Sequence, residues 1–260
     1  MGIINVTPDS FSDGGSYASA RLAIEHGLRL EDAGADLLDV GGESTRPYSQ
    51  AVADEEELRR VLPVLEGLAQ RVACPLSVDT SKSRVARAAI ELGVEIVNDV
   101  TGLSGDPELL PLVAEQQVGV CAMHMQGTPQ TMQDAPSYQQ VVAEILDYLA
   151  QRRQALLAAG VAAERICLDP GIGFGKTHAH NLELLRGCSR FHHLGCPLLV
   201  GHSRKGMIGK LLGDPERERD SGTAGMSLAL ARAGVQVLRV HNVAATRDAL
   251  LCFAAAGGLE

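Results

Sequence analysis

Arg239 and His241 lie two residues apart at the end of an apolar run, Val237 to Val240, that reads as a β-strand, so both side chains leave the same face. Ser203, Arg204 and Lys205 follow a second such run, Leu198 to Val200. A guanidinium, an imidazole, an ammonium and a hydroxyl brought together would receive a phosphate or another anion. Two blander readings stand beside that one. Arg239 could pair with a carboxylate such as Asp39 or Asp169, and Ser203 could cap the helix that follows it.

Polar clusters recur behind other short apolar runs. NVTPDSFSDGG starts at Asn5, GGESTRP at Gly41, Asp79-Thr80 follows Leu76 to Val78, and Asn98-Asp99 follows Ile96 to Val97. His124 to Gly127 and Asp169 to Lys176 complete the set. Any one of these residues reads as a solvated loop charge or a cap. Their joint placement after successive strands points to one site. The chemistry is not that of a nucleotide P-loop, because Gly175-Lys176-Thr177 lacks the first glycine of that motif, with Pro170 in its place. No HExxH helix and no glycine-elbow nucleophile is found. A hard cation held mainly by ligand phosphate oxygens, with one protein amide or carbonyl, fits better.

What must position these clusters is a series of strand-then-helix units. The runs at 2–6, 37–40, 76–78, 96–97, 119–123, 166–168, 198–200 and 237–240 are apolar, as parallel strands covered on both faces are. Leu58, Val61, Leu62, Leu65 and Leu68 mark one helical face behind Asp54 and Glu57, a pair spaced like a capping box. Val141, Val142, Ile145, Leu146 and Leu149 mark another. Gly34, Gly93, Gly160 and Gly234 fall where helices should stop. Eight units favour a closed (β/α)8 TIM barrel, an α/β fold, over an open doubly wound sheet. Residues just past each strand then converge on one rim, where the loops after strands seven and eight form the usual phosphate site. No linker divides residues 1–260, which predicts a single domain, with exposed loops at 129–136 and 214–220.

Composition narrows the partners. With 23 Lys and Arg against 32 Asp and Glu, the net charge of −9 gives no general attraction to nucleic acid or to an anionic membrane, so an anion needs a local cluster. The 6 cysteines carry no CxxC pair and sit among apolar residues, as in a reducing cytoplasm. Neither a membrane-spanning run nor an export signal is present in the sequence.

The clusters resemble those of the dihydropteroate synthases, over essentially the whole chain. The matching motifs are MGIINVTPDSFSDGG (1–15), GGESTRP (41–47), SVDTSK (77–82), NDVTG (98–102), MHMQGTPQTMQ (123–133), LDPGIGFGK (168–176), SRKGMIG (203–209) and RVHN (239–242). The resemblance implies an enzyme of folate biosynthesis that joins 4-aminobenzoate to a dihydropterin methyl diphosphate and releases pyrophosphate, the target of sulfonamides. It implies that Asp169 takes the donor edge of the pterin, with Asp79 and Asn98 completing the ring contacts and Lys205 on the carbonyl side. Thr45, Arg239, His241 and a Mg²⁺ positioned by Asn5 would stabilise the leaving pyrophosphate. Phe11, Asp13, Arg46 and Pro47 would wall the aminobenzoate pocket, Ser203 would hold the benzoate carboxylate, and Asp13 would steady a transient cation. A cytoplasmic homodimer is implied as well.

Three departures qualify the resemblance. Family members usually carry a segment before the first strand, whereas this chain starts at Met1, so a trimmed start or an open barrel floor is expected. Tyr48 stands where a small residue is usual, and Gly206 where a Ser or Arg is common. Among rival readings, a pterin-binding methyltransferase has no use for the SRK and RVH cluster. An idle paralogue would not need Asn5, Asp79, Asn98, Asp169, Lys205, Arg239 and His241 together.

Overall fold

The computed structural model of the chain describes residues 1–7 and 15–259. Among them, eight short strands alternate with helices: β1 (Gly2–Asn5), α1 (Gly15–Asp32), β2 (Leu38–Gly41), α2 (Asp54–Ala69), β3 (Leu76–Asp79), α3 (Ser83–Glu91), β4 (Ile96–Asp99), α4 (Leu109–Gln116) and β5 (Gly119–Met123). Then come α5 (Val141–Ala158), β6 (Ile166–Asp169), α6 (His178–Arg186), β7 (Leu199–Val200), α7 (Gly206–Leu211), α8 (Asp220–Arg232), β8 (Val237–Leu238) and α9 (Val243–Ala255). Strands β1 to β6 pair in parallel in chain order, and β7 pairs with β8. The ring closes at two seams. Ile3 N–H donates to Val240 O at 3.1 Å and Val240 N–H to Met1 O at 2.9 Å, while Leu168 N–H donates to Pro197 O at 3.0 Å. Closure removes both sheet edges and with them a row of unpaired backbone groups.

Outward strand residues such as Ile4, Leu38, Val40, Val78, Val97 and Leu168 are buried under the helices. Helix α2 seats Val61, Val64, Leu65 and Leu68 there, with Leu58 and Leu62 half-buried beside them. Each such side chain contributes about 1.5–3 kcal/mol by leaving water. Gly34, Gly93, Gly160 and Gly234 all take the left-handed conformation at helix ends, as expected from the sequence. No described helix is long and apolar enough to cross a membrane.

Three local expectations are corrected. Strands β3, β4 and β6 run one or two residues further than their apolar runs, so Asp79, Asn98 and Asp169 sit on the sheet rather than in loops. Helix α2 has Ala53 at its N-cap, whose methyl has no acceptor to cap with, Asp54 lies already inside the helix, and Glu57 turns inward to bind Lys82 together with Glu43. That trio ties the loop after β2 to the loop after β3. Ser203 does not cap α7 either, since Lys205 holds the N-cap position.

Candidate active site

Asp39 anchors the barrel interior. Its carboxylate is 0% exposed and accepts from Ser77 Oγ at 2.5 Å, Arg239 Nε at 2.6 Å and Asn98 Nδ2 at 3.2 Å. These residues come from β2, β3 and β4 and from just past β8, so the contacts run across the inside of the ring. Arg239 Nη2 also donates to Asp79 at 2.8 Å, so the guanidinium pairs with Asp39 and Asp79 and not with Asp169. Two carboxylates, Asp39 fully buried and Asp79 half-buried, thus share one cation. Burial raises Asp79 to about 7, with Asp39 adding repulsion and Arg239 pulling the other way.

Asp169 is buried at the end of β6. Its Oδ1 accepts the Gly171 N–H at 2.7 Å, and burial pushes its pKa up while Gly171 and the charges of Lys205, Lys176 and Arg239 oppose the rise. The backbone after it turns tightly: Gly171 has φ 69°, and a Cβ there would fall 1.9 Å from His124 O. Only glycine fits. Lys205 donates to Ile172 O and rests 4.2 Å from the centre of the Phe174 ring, and burial lowers its pKa to about 7.

The rim above is cationic. His241 bonds Ser203 through Nδ1 at 3.0 Å, and burial followed by the charges of Arg204 and Arg239 lowers the ring to about 4, with Arg46 adding to the effect. Arg204 forms a two-point pair with Asp220 at 2.6 and 2.8 Å, and Asn242 donates to the same carboxylate while capping α9. Arg46 and Pro47 are exposed and Thr45 is half-buried on the loop after β2. Tyr48 there has φ 65°, is 65% exposed and donates its N–H to Pro129 O at 2.8 Å. Gly206, the other departure, opens α7 with free space where a side chain would go.

Asp79, Asn98, Asp169, Lys205, Arg239, His241 and Ser203 are therefore brought together. Asn5 is half-buried at the end of β1, and its side-chain amide makes no hydrogen bond with the described residues. Phe11 and Asp13 lie outside the described residues. Sequence reasoning named Asp39 only as a possible partner of Arg239, the pair that forms here, and missed Ser77, although a Ser two residues before Asp79 on the same face was a signal for it. It also missed Lys176, which is buried with its ammonium 2.8 Å from Phe174 O, 3.0 Å from His124 Nδ1 and 3.3 Å from His124 O. The neighbouring Thr177 is a cap for α6 and not part of a phosphate loop.

A closed (β/α)8 barrel with an acidic interior and a cationic mouth is an enzyme scaffold for a small molecule that has a donor edge and an anionic end. The family profile described as pterin binding enzyme matches residues 1–241. The dihydropteroate synthase of Escherichia coli K12 is 49% identical over 250 residues, 96% of this chain and 88% of that protein. A Yersinia pestis dihydropteroate synthase solved with a sulfonamide drug complex superposes with a TM-score of 0.93 at 44% identity, covering 99% of this chain and 93% of the other. The Xanthomonas albilineans enzyme solved with 4-aminobenzoic acid gives 0.92 at 49% identity, covering 99% and 92%. That enzyme is also known in complex with 7,8-dihydropteroate. The chain belongs to the dihydropteroate synthase family of pterin-binding enzymes.

Proposed function

We propose that this protein condenses 7,8-dihydropterin-6-ylmethyl diphosphate with 4-aminobenzoate to give 7,8-dihydropteroate and pyrophosphate. The observation that carries the reading is the division of the site into carboxylates inside the barrel and cations at its mouth. The pterin edge presents ring N–H and amino donors, which a desolvated carboxylate can accept in two hydrogen bonds. Asp169 takes that edge, Asp79 and Asn98 complete the ring contacts, and Lys205 meets the carbonyl side. Arg239 stands between the interior and the rim, holding Asp39 through Nε and Asp79 through Nη2 and leaving Nη1 for the diphosphate.

In the reaction, the bond from the exocyclic methylene to the diphosphate oxygen breaks first, and its electron pair leaves with pyrophosphate. The electron-rich ring stabilises the resulting cation. The amine of 4-aminobenzoate then attacks the methylene and loses a proton. No protein nucleophile is needed. Arg239, His241 and Thr45 stabilise charge on the departing oxygen, Arg46 and Pro47 wall the second substrate, and Phe11 and Asp13 complete the roles proposed on the first loop.

Mg²⁺ fits the residues present. No trio of His, Cys, Asp or Glu among the described residues could hold a metal, and the unengaged amide of Asn5 suits an ion carried mostly by phosphate oxygens and water. When bound, the ion supplies positive charge to the diphosphate. A cytoplasmic homodimer in which residues 1–260 act as one domain completes the proposal.

The test is incubation with both substrates and Mg²⁺, followed by assay of pyrophosphate and dihydropteroate. Stoichiometric release of both supports the reading, and tight pterin binding without product overturns it.

A further inference from the structure

Ser203 is only 6% exposed, and its Oγ lies 3.2 Å from the backbone nitrogen of His241 and 3.0 Å from ring Nδ1. A hydroxyl has one proton to give and room to accept two. The His241 backbone N–H can only donate, so it occupies one acceptor position. If Nδ1–H donated as well, the hydroxyl proton would be buried without an acceptor among the described residues. If Nδ1 is bare, the hydroxyl donates to it and every group at the contact is satisfied.

Burial and the surrounding guanidinium groups of Arg204, Arg239 and Arg46 hold this imidazole well below its ordinary pKa, with Asp220 opposing, so the ring is neutral near pH 7. A neutral ring carries one N–H, and its partner at the other nitrogen decides where that proton sits. Nε2 has no hydrogen-bond partner among the described residues.

We propose that Ser203 is a positioning residue that donates to His241 Nδ1, fixes the Nε2–H tautomer and thereby presents a neutral N–H donor to the diphosphate of the pterin substrate. This inference rests on the synthase reading for the identity of the anion. It replaces the expected contact of Ser203 with the benzoate carboxylate, which would have to break a buried pair already complete. A neutral donor set by its second nitrogen can polarise an oxygen without first losing a proton. In the opposite tautomer, Nε2 would turn a lone pair toward the anion and repel it.

Two measurements decide the matter. In wild-type protein labelled with ¹⁵N at histidine, with His241 assigned by comparison with His241→Gln, Nδ1 should resonate as a bare nitrogen and Nε2 as a protonated one at neutral pH. An Nδ1–H tautomer overturns the proposal. Ser203→Ala should raise KM for the dihydropterin diphosphate about 10-fold, as loss of an orienting partner does, and leave KM for 4-aminobenzoate within about 2-fold. Ser203→Thr, which keeps the hydroxyl, should restore most of the loss. A rise confined to 4-aminobenzoate, or equal for both substrates, overturns the assignment. The tautomer measurement uses no substrate, so its failure is separate from that of the synthase reading, which fails when wild-type protein makes no dihydropteroate.

Discussion

The barrel interior and its mouth treat charge in opposite ways. Inside, Asp39 and Asp79 share the one guanidinium of Arg239, Asp169 lies apart from that pair with its Oδ1 on the Gly171 N–H, and Asp39 is closed off from water by Ser77, Asn98 and Arg239. At the mouth, the guanidinium groups of Arg46, Arg204 and Arg239 surround a neutral His241 and outnumber the one carboxylate there, Asp220, whose ion pair is with Arg204. The mouth also carries two of the strained residues, Tyr48 and Arg204, both with positive φ. A rigid acceptor layer under a looser donor layer suits a ligand whose flat end is recognised and whose charged end departs. The two layers meet at Arg239, so substitutions should separate them in a graded way.

The largest effect is expected from Arg239→Ala, which leaves Asp39 buried without its cation. Removing one partner of a buried pair costs about 3–5 kcal/mol of stability, to be read by urea unfolding. Adding Asp39→Asn should recover part of that loss. A loss of stability below about 1 kcal/mol would show that the interior is wetter than described. Asp169→Asn comes next. Bare pterin and its diphosphate should both bind roughly 10- to 100-fold more weakly, the range for a lost charged hydrogen bond, by calorimetric titration.

His241→Ala should behave differently, weakening the diphosphate about 10-fold and sparing the bare pterin. Equal losses for the two ligands would erase the distinction between layers. A pH titration of bare pterin binding sharpens the same point. Asp79, raised to about 7, loses its acceptor charge as pH falls through that value, and Lys205, lowered to about 7, loses its proton as pH rises. Binding should therefore peak near neutrality, and Asp79→Asn should flatten the acid side alone. The smallest effect belongs to Tyr48→Gly, which relieves a left-handed backbone and should gain about 1 kcal/mol in stability, seen as a modest rise in Tm.

Much of this was readable in advance because strand and helix periodicities are local. All eight strands stand where apolar runs predicted them, and the glycines at 34, 93, 160 and 234 end their helices. The exceptions share one cause. Asp79, Asn98 and Asp169 continue their strands because interior polar partners satisfy them, and a run defined by hydrophobicity cannot see that. Glu57 left its expected capping role for Lys82, a partner 25 residues away. Lys176, beside a P-loop look-alike, went to the His124 ring and carbonyl, 52 residues away.

By itself, the sequence determined which residue types stand at each strand end, and so a barrel with a polar, anion-receiving rim and membership in a family with specific motifs. Spacing of two residues on a strand was enough to put Arg239 and His241 on one face. Only the tertiary structure decided the partners: Arg239 between Asp39 and Asp79, Ser203 with His241, Lys176 with His124. The reason is physical. Which face a side chain takes follows from local backbone geometry, whereas which group it bonds depends on strands that meet only when the ring closes.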